Sequence, residues 1–302
     1  MKRALITGGA GFIAHHLISQ ILKHTDWEVV TLDRLDFSGN LNRLQDVLQE
    51  FSPEDRARVR VVFHDLKAAV NPLIAADIGR VDYILHLAAG SHVDRSIEYP
   101  APNGINYGEY DRYNSTNPYS ASKAGGEELA VAFENTYGLP VYITHTMNVF
   151  GQRQHPEKFI PMCIKRVRDG EVITIHSDES KTIPGSRHYI HAEDVSDALL
   201  FLLAQDTVVE TGNYGGAKCP KFNIVGAEEL NNLQLAQIIA DVQGKELKYE
   251  MVDFHSTRPG HDLRYALSGE KMRKMGWEPE NIRDRIREVV EWTIANERWI
   301  KL

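Results

Sequence analysis

Residues 7–14 read Thr7-Gly8-Gly9-Ala10-Gly11-Phe12-Ile13-Ala14, between a short apolar run at 4–7 and a segment whose apolar residues recur at helical spacing. A glycine loop joining a strand to a helix is a phosphate-binding turn, because the helix N-terminus offers unpaired N–H groups and a positive dipole end to a pyrophosphate. Gly8 suits the tight turn and Gly11 the close approach of backbone to phosphate. Ala14 stands where a third glycine is usual and is small enough for close helix–strand packing. In the helix that follows, expected over about 12–23, Ile13, Leu17, Ile18, Ile21 and Leu22 face a sheet, with His15, Gln20 and Lys23 mostly elsewhere. Asp33 follows the next apolar run, 28–32. A carboxylate there accepts hydrogen bonds from an adenosine ribose and repels a 2′-phosphate, so NAD is expected rather than NADP. Arg34 beside it weakens this preference slightly, since it could meet a phosphate, but a lone arginine is more often a solvated surface charge.

Outward from this loop, further apolar runs at 59–63 and 83–87 alternate with helical patterns, the signature of βαβ units. The expected fold class is α/β, a doubly wound parallel (Rossmann) sheet with a smaller α/β substrate-binding lobe. Asp65 and Leu66 close the third strand, in a place suited to an adenine edge. Leu87, Ala88 and Ala89 close the fourth with small residues that let a cofactor pass. A helix is expected from Pro118 to Tyr137, stopped by Gly138-Leu139-Pro140, and a strand over 141–144. Beyond about 205 come a helix at 232–242 ended by Gly244, a short run at 247–252, and a closing helix with the apolar stripe Ile282, Ile286, Val289, Val290 and Ile294. The expected domains are 1–151 with 187–205 for the cofactor, and 152–186 with 206–302 for the substrate. One interval breaks the pattern: 99–117 is rich in Gly, Pro, Asn and Tyr and holds no periodic apolar run, too little for a helix plus a strand.

Composition narrows the function classes. In 302 residues, 42% hydrophobic and 25% charged is an ordinary globular mixture, neither disordered nor fibrous. A net charge of −8 argues against a nucleic-acid surface, while leaving room for a local basic pocket. Cys163 and Cys219, the only cysteines, form no Cys-x-x-Cys and no disulfide framework, which fits a reducing compartment and gives no zinc site. No apolar run is long enough to span a bilayer, so a cytoplasmic location is expected.

Tyr119 and Lys123 are four residues apart, on one face of the helix expected at 118–137. A nearby ammonium lowers a phenol's pKa, so such a pair can remove a proton from a sugar hydroxyl near neutral pH. Alone, Tyr-x-x-x-Lys is common; here it follows a dinucleotide loop by about 110 residues. Ser91 and His92 after the fourth strand, Asn148, Arg187, Arg258 and His261 add polar and cationic groups suited to an anionic ligand. None has the spacing of a metal site.

Taken together, residues 7–13, Asp33, Gly39-Asn40-Leu41, Leu87-Ala88-Ala89, 91–97, 118–124 and 258–266 resemble the extended short-chain dehydrogenase/reductase family. Within it, 91–97, 156–161 and 258–266 are most similar to the dTDP-glucose 4,6-dehydratases. The resemblance covers nearly the whole chain. It implies an NAD-dependent lyase acting on a nucleotide-diphosphate sugar: hydride removal from sugar C4 to tightly held NAD, loss of water across C5 and C6, and hydride return to C6. It also implies a homodimer. It assigns Tyr119 as the C4-hydroxyl base and Lys123 as its electrostatic partner. Gly8, Gly11, Phe12, Ile13, Asp33, Asn40, Asp65, Leu66, Leu87, Ala88 and Ala89, with Tyr119 and Lys123, would hold NAD. Ser91, His92, Asn148, Glu157, Lys158, Phe159, Arg187, Arg258 and His261 would hold the sugar nucleotide. The chain departs from the family between Pro100 and Pro118. Members carry there a helix and a strand ending in a serine or threonine followed by Asp-Glu, the groups that bind the reacting oxygen and carry out dehydration. No such element is legible here. A 4-epimerase or decarboxylase, which needs no dehydrating pair, and a catalytically impaired NAD- or sugar-nucleotide-binding protein are the alternatives.

Overall fold

The apolar run before the glycine loop forms β1 (Arg3–Thr7), and the helical pattern after it forms α1 (Phe12–His24). A computed structural model describes residues 1–36, 38–89, 106–111, 118–205, 219–253 and 263–301, with Pro118 and Tyr119 as backbone only. The chain divides into two compact units, Met1–Ser91 with Val195–Leu200, and His92–Asp194 with Phe201–Leu302.

In the first unit, β2 (Glu28–Asp33), α2 (Leu41–Leu48), α3 (Pro53–Ala57), β3 (Val59–Phe63), α4 (Pro72–Ile78) and β4 (Tyr83–His86) follow α1. The strands form a parallel sheet of order β3-β2-β1-β4, with Ala4 opposite Val29 on one side and Tyr83 on the other. Asn40, Ser52 and Asn71 begin α2, α3 and α4 by accepting backbone N–H bonds, and Pro53 and Pro72 supply the preset φ of a first helical position. His15 and Gln20, expected mostly away from the sheet face, are buried with every other residue from Ala14 to Leu22. α2 packs against α1, so α1 is covered on more than its sheet face.

This sheet is unevenly covered. A parallel sheet is ordinarily buried on both faces, yet Phe63 on β3 is 59% exposed and Ile84 on β4 is 64% exposed. Among the described residues, β4 has β1 as its only strand neighbour.

The second unit contains α5 (Pro118–Tyr137), β5 (Ile143–Thr146), β6 (Val149–Phe150), α6 (Phe159–Asp169), β7 (Ile173–Ser177), β8 (Ser186–Arg187), β9 (Ile190–His191) and α7 (Ala192–Ala204), whose middle belongs to the first unit. It continues with β10 (Lys221–Ile224), β11 (Leu230–Asn231), α8 (Asn232–Val242), β12 (Tyr249–Asp253), β13 (Arg264–Tyr265), α9 (Glu270–Lys274) and α10 (Ile282–Ala295). Its core gathers Ile160, Ile164 and Val167 of α6, Ile173 and Ile175 of β7, Leu235 and Ile239 of α8, and Ile286, Val289 and Val290 of α10. Parallel pairs β5–β10, β7–β12 and β6–β9 and the small sheet β11-β8-β13 complete it.

Three local expectations shift. The strand expected at 141–144 runs Ile143–Thr146, because pairing with β10 starts at Ile143 opposite Lys221, while Tyr142 sets its ring edge-on to Phe222. The run at 247–252 forms β12 from Tyr249, pairing with β7. In α10 the inward row is Ile282, Ile286, Val289, Val290 and Thr293, and Ile294 turns outward. Within 99–117 the described residues contain no helix and no regular strand. Tyr107 alone bridges the backbone near Leu267, donating its N–H to Ala266 O at 3.0 Å and accepting from Ser268 N at 2.8 Å.

Candidate cofactor site and active-site helix

The loop after β1 is built by three glycines with different reasons. Gly8 has φ +74°, and a Cβ on it would stand 3.0 Å from Ala88 Cα and 3.1 Å from Ala88 N, so loop and β4 end meet backbone to backbone. A Cβ on Gly11 would lie 2.8 Å from Gly8 O, the carbonyl that accepts Gly11 N–H. Gly9, which the motif reading did not single out, would drive a Cβ into the buried side chain of Thr31. The signal for it lies on the neighbouring strand. Gly11 begins α1 with no side-chain cap, leaving the first helical N–H groups for an anion.

Asp33 is buried at the end of β2 and braces this loop. One carboxylate oxygen accepts Ala10 N–H at 3.0 Å and the other accepts Leu35 N–H at 2.8 Å. Each oxygen keeps a second lone pair for a hydroxyl. Asn40 N–H donates to Ala10 O at 3.0 Å, joining the start of α2 to the same loop. Arg34, read as solvated, is instead paired with Asp36 and, at 3.4 Å, with Asp65. Its charge is thereby answered by carboxylates, which supports the expected preference for a cofactor without a 2′-phosphate. Asp65 accepts Lys67 N–H as well, and Leu66 beside it is exposed. Thr7 was also missed: its hydroxyl contacts His86 Nδ1 at 2.9 Å and accepts Ala88 N–H at 3.2 Å, tying the ends of β1 and β4 together. Phe12 and Ile13 open α1, half-buried, and Leu87 N–H donates to Thr7 O. The first unit therefore brings Gly8, Gly11, Asp33, Asn40, Leu87 and Ala88 around one loop.

In the second unit, Tyr119 and Lys123 are one turn apart on α5; the Tyr119 side chain lies outside the described residues. Desolvation lowers the pKa of Lys123 from the usual ammonium value. No described residue of α5 is buried, and Leu129, Phe133 and Tyr137 form an exposed apolar row. Asn148 is exposed, and its carbonyl accepts Ile190 N–H. Glu157 and Lys158 are exposed just before α6, with Lys158 at its N-cap position, while Phe159 packs on the core. Arg187 donates to Ser186 O at 2.6 Å and Leu263 O at 2.9 Å. Ser91, His92, Arg258 and His261 lie outside the described residues. Between Pro100 and Pro118, Glu109 accepts Asn223 N–H at 3.2 Å and Asp111 accepts Gly108 N–H at 2.7 Å.

Among the described residues no cluster of His, Cys, Asp and Glu could hold a metal, and no helix is long and apolar enough to cross a membrane. Residues 5–106 match the GDP-mannose 4,6 dehydratase family and 98–215 the NAD dependent epimerase/dehydratase family. A dTDP-glucose 4,6-dehydratase of Shigella flexneri is 30% identical, over 99% of this chain and 94% of that protein. The chain belongs to the NAD-dependent nucleotide-sugar epimerase/dehydratase family. The fold of this family member agrees: it superposes on a dTDP-glucose 4,6-dehydratase from Bacillus anthracis in complex with NAD with a TM-score of 0.81 at 25% identity, over 99% of this chain and 98% of that one. The enzyme of the same name from Streptomyces venezuelae, also with NAD bound, gives 0.78 at 30% identity, over 98% of each chain. The alignment with the Shigella relative runs over 358 residues although this family member has only 302, so the relative carries internal residues that this chain does not.

Proposed function

We propose that this chain is an NAD-dependent nucleotide-sugar 4,6-dehydratase, a cytoplasmic lyase that takes a dTDP-glucose-like substrate to a 4-keto-6-deoxy sugar. The observation that carries the reading is the full-length match to a dTDP-glucose 4,6-dehydratase together with Tyr119 and Lys123 one turn apart on α5.

The residues fit the cofactor. The uncapped start of α1 and the Gly8–Gly11 turn would hold a pyrophosphate, and Asp33, already fixed by Ala10 and Leu35, would accept ribose hydroxyls. Bound there, NAD supplies the hydride acceptor. The chain's own part is acid–base and electrostatic. Tyr119 takes the proton of the C4 hydroxyl, and the ammonium of Lys123 stabilises the phenolate. Ser91, His92, Asn148, Glu157, Lys158, Phe159, Arg187, Arg258 and His261 would bind the nucleotide diphosphate and the sugar. In this reading 1–151 with 187–205 serve the cofactor, and 152–186 with 206–302 serve the sugar nucleotide. A homodimer belongs to the proposal, and the exposed row Leu129, Phe133 and Tyr137 supports it.

A second reading has its own observation. Between Pro100 and Pro118 no Asp-Glu pair is legible, and the described carboxylates there, Glu109 and Asp111, each accept a backbone N–H. On that reading the chain binds NAD and sugar nucleotide without eliminating water. Incubation with NAD and dTDP-glucose, followed by mass spectrometry of the product, separates the two. A sugar nucleotide lighter by one water supports the dehydratase. Unchanged substrate with NAD retained supports the binding-only form, and a C4 epimer or released carbon dioxide supports a relative with different chemistry.

A further inference from the structure

The small sheet β11-β8-β13 consists of three two-residue strands with β8 in the middle. Strands that short share few ladder hydrogen bonds, so side chains contribute to holding them in register. One carboxylate reaches all three. Glu229, the residue before β11, accepts the Ser186 hydroxyl of β8 at 2.5 Å and takes the Arg264 guanidinium of β13 in a two-pronged pair, Nε at 2.7 Å and Nη2 at 2.8 Å. The Glu229 and Arg264 side chains are only 26% and 14% exposed, which shields the pair from salt. His188 Nε2 lies 3.8 Å from the same carboxylate. Arg264 Nη2 also donates to Asn106 Oδ1 at 2.8 Å, so the interval that departs from the family reaches this pair as well.

Arg187 stands next to Ser186 on β8, and alternation along a strand sends the two side chains to opposite faces. Arg187 Nη1 donates to Ser186 O at 2.6 Å and to Leu263 O at 2.9 Å. One of these carbonyls belongs to β8 and the other to the residue before β13. Leu263 O also accepts Ser186 N–H at 2.9 Å, and a Cβ on Gly185 would stand 3.1 Å from it, so the two segments approach closely. Where the Arg187 guanidinium sits therefore depends on the spacing of β8 and β13. Glu229 spans that spacing from Ser186 to Arg264. We propose that Glu229 is a positioning residue for Arg187, acting through the backbone of β8 and β13. This rests on the reading that Arg187 binds the nucleotide diphosphate.

A pair that only stabilised this unit would affect ligand binding equally whether or not Arg187 is present. A positioning residue loses its effect once Arg187 is gone. The test is accordingly a double-mutant cycle on the NAD-loaded, full-length chain, with dTDP affinity read by calorimetry. Arg187→Ala should weaken dTDP binding about tenfold or more. Glu229→Gln keeps the shape of the side chain and removes the charge that holds Arg264. It should weaken dTDP binding about fivefold in the wild-type background and less than about twofold beside Arg187→Ala. NAD affinity, which checks that each variant is folded, should stay within about twofold. If Glu229→Gln does not fold, Ser186→Ala carries the same cycle with the Glu229–Arg264 pair in place, with an expected loss of about threefold that also vanishes beside Arg187→Ala.

Equal losses in the two backgrounds, or no loss in the wild-type background, overturn the proposal. Where turnover is measurable, the effect of Glu229→Gln should fall on KM with kcat little changed; a fall confined to kcat counts against it. The two readings fail differently. If Arg187→Ala weakens dTDP binding while Glu229→Gln is silent, the positioning role alone is overturned. A wild type that binds no dTDP, or an Arg187→Ala variant that binds it as well as the wild type, overturns the substrate role of Arg187 and the positioning role with it.

Discussion

Replacing Gly8 with alanine tests the geometry of the cofactor loop at its tightest point. Gly8 has φ +74°, a conformation that costs an L-residue about 1–2 kcal/mol. The added Cβ would also meet Ala88 Cα at 3.0 Å, Ala88 N at 3.1 Å and Leu87 C at 3.3 Å. All three are backbone atoms at the end of β4, so relief requires loop and strand end to move apart, an overpacking cost of about 1–3 kcal/mol. The two effects together predict a loss of roughly 2–5 kcal/mol. Gly170→Ala is the control. Gly170 has nearly the same φ, +71°, in the left-handed region, and a Cβ there would meet nothing within 4 Å. The control should lose only the backbone part, about 1–2 kcal/mol. Urea melts of both variants and NAD titrations by calorimetry give the comparison. Gly8→Ala is expected to lose more stability than Gly170→Ala and to bind NAD at least about tenfold more weakly, the effect of about 1.4 kcal/mol. Equal losses in the two variants, or unchanged NAD affinity in Gly8→Ala, would refute the close-approach argument.

Further outcomes are expected elsewhere. Asp33→Ala should weaken NAD binding about tenfold and narrow the preference over NADP, measured by parallel titrations of the two cofactors; an unchanged ratio counts against the ribose role. Arg285→Ala should cost about 3–5 kcal/mol at pH 8, because it strips the buried Asp194 of a partner 2.8 Å away. Urea denaturation of that variant showing a loss below 1 kcal/mol would contradict this. Burial pushes the Asp194 carboxyl up to about 6, with Arg285 opposing. Its folded pKa then exceeds the unfolded value of about 3.9, so this group disfavours folding above pH 6 and its penalty fades as pH falls from 6 toward 4. Asp194→Asn should remove that slope from the pH dependence of stability; an unchanged slope would place the titration elsewhere. Tyr119→Phe should abolish turnover of the sugar nucleotide and leave NAD affinity within about twofold.

The sequence was most informative where local rules and tertiary packing agree. The strand–glycine–helix unit, the four-strand parallel pattern and the bounds of α5 and α8 follow from periodicity, caps and stops that act within a few residues of the element they define. It was least informative where the deciding partner is distant. Nothing near Gly9 announces Thr31, nothing near Arg34 announces Asp65, and nothing near Glu229 announces Ser186 and Arg264. His15 and Gln20 fall outside the apolar row of α1, yet both are buried. The interval 99–117 was legible as a departure. Among the described residues, Ile84 and Phe63 stand exposed on the sheet and α5 buries no side chain. Site assignment beyond the cofactor loop came from resemblance, because single arginines, histidines and a Tyr–Lys pair carry little meaning without the positions around them.

The central claim is that this shortened member of the family oxidises, dehydrates and reduces one sugar nucleotide with Tyr119 and Lys123 at its centre. Incubating the purified chain and NAD with dTDP-glucose deuterated at C4, then locating the label by NMR and mass spectrometry, tests it most directly. The expected product is one water lighter and carries the deuterium at C6. Recovery of dTDP-glucose with its label still at C4 and NAD still bound would contradict the account.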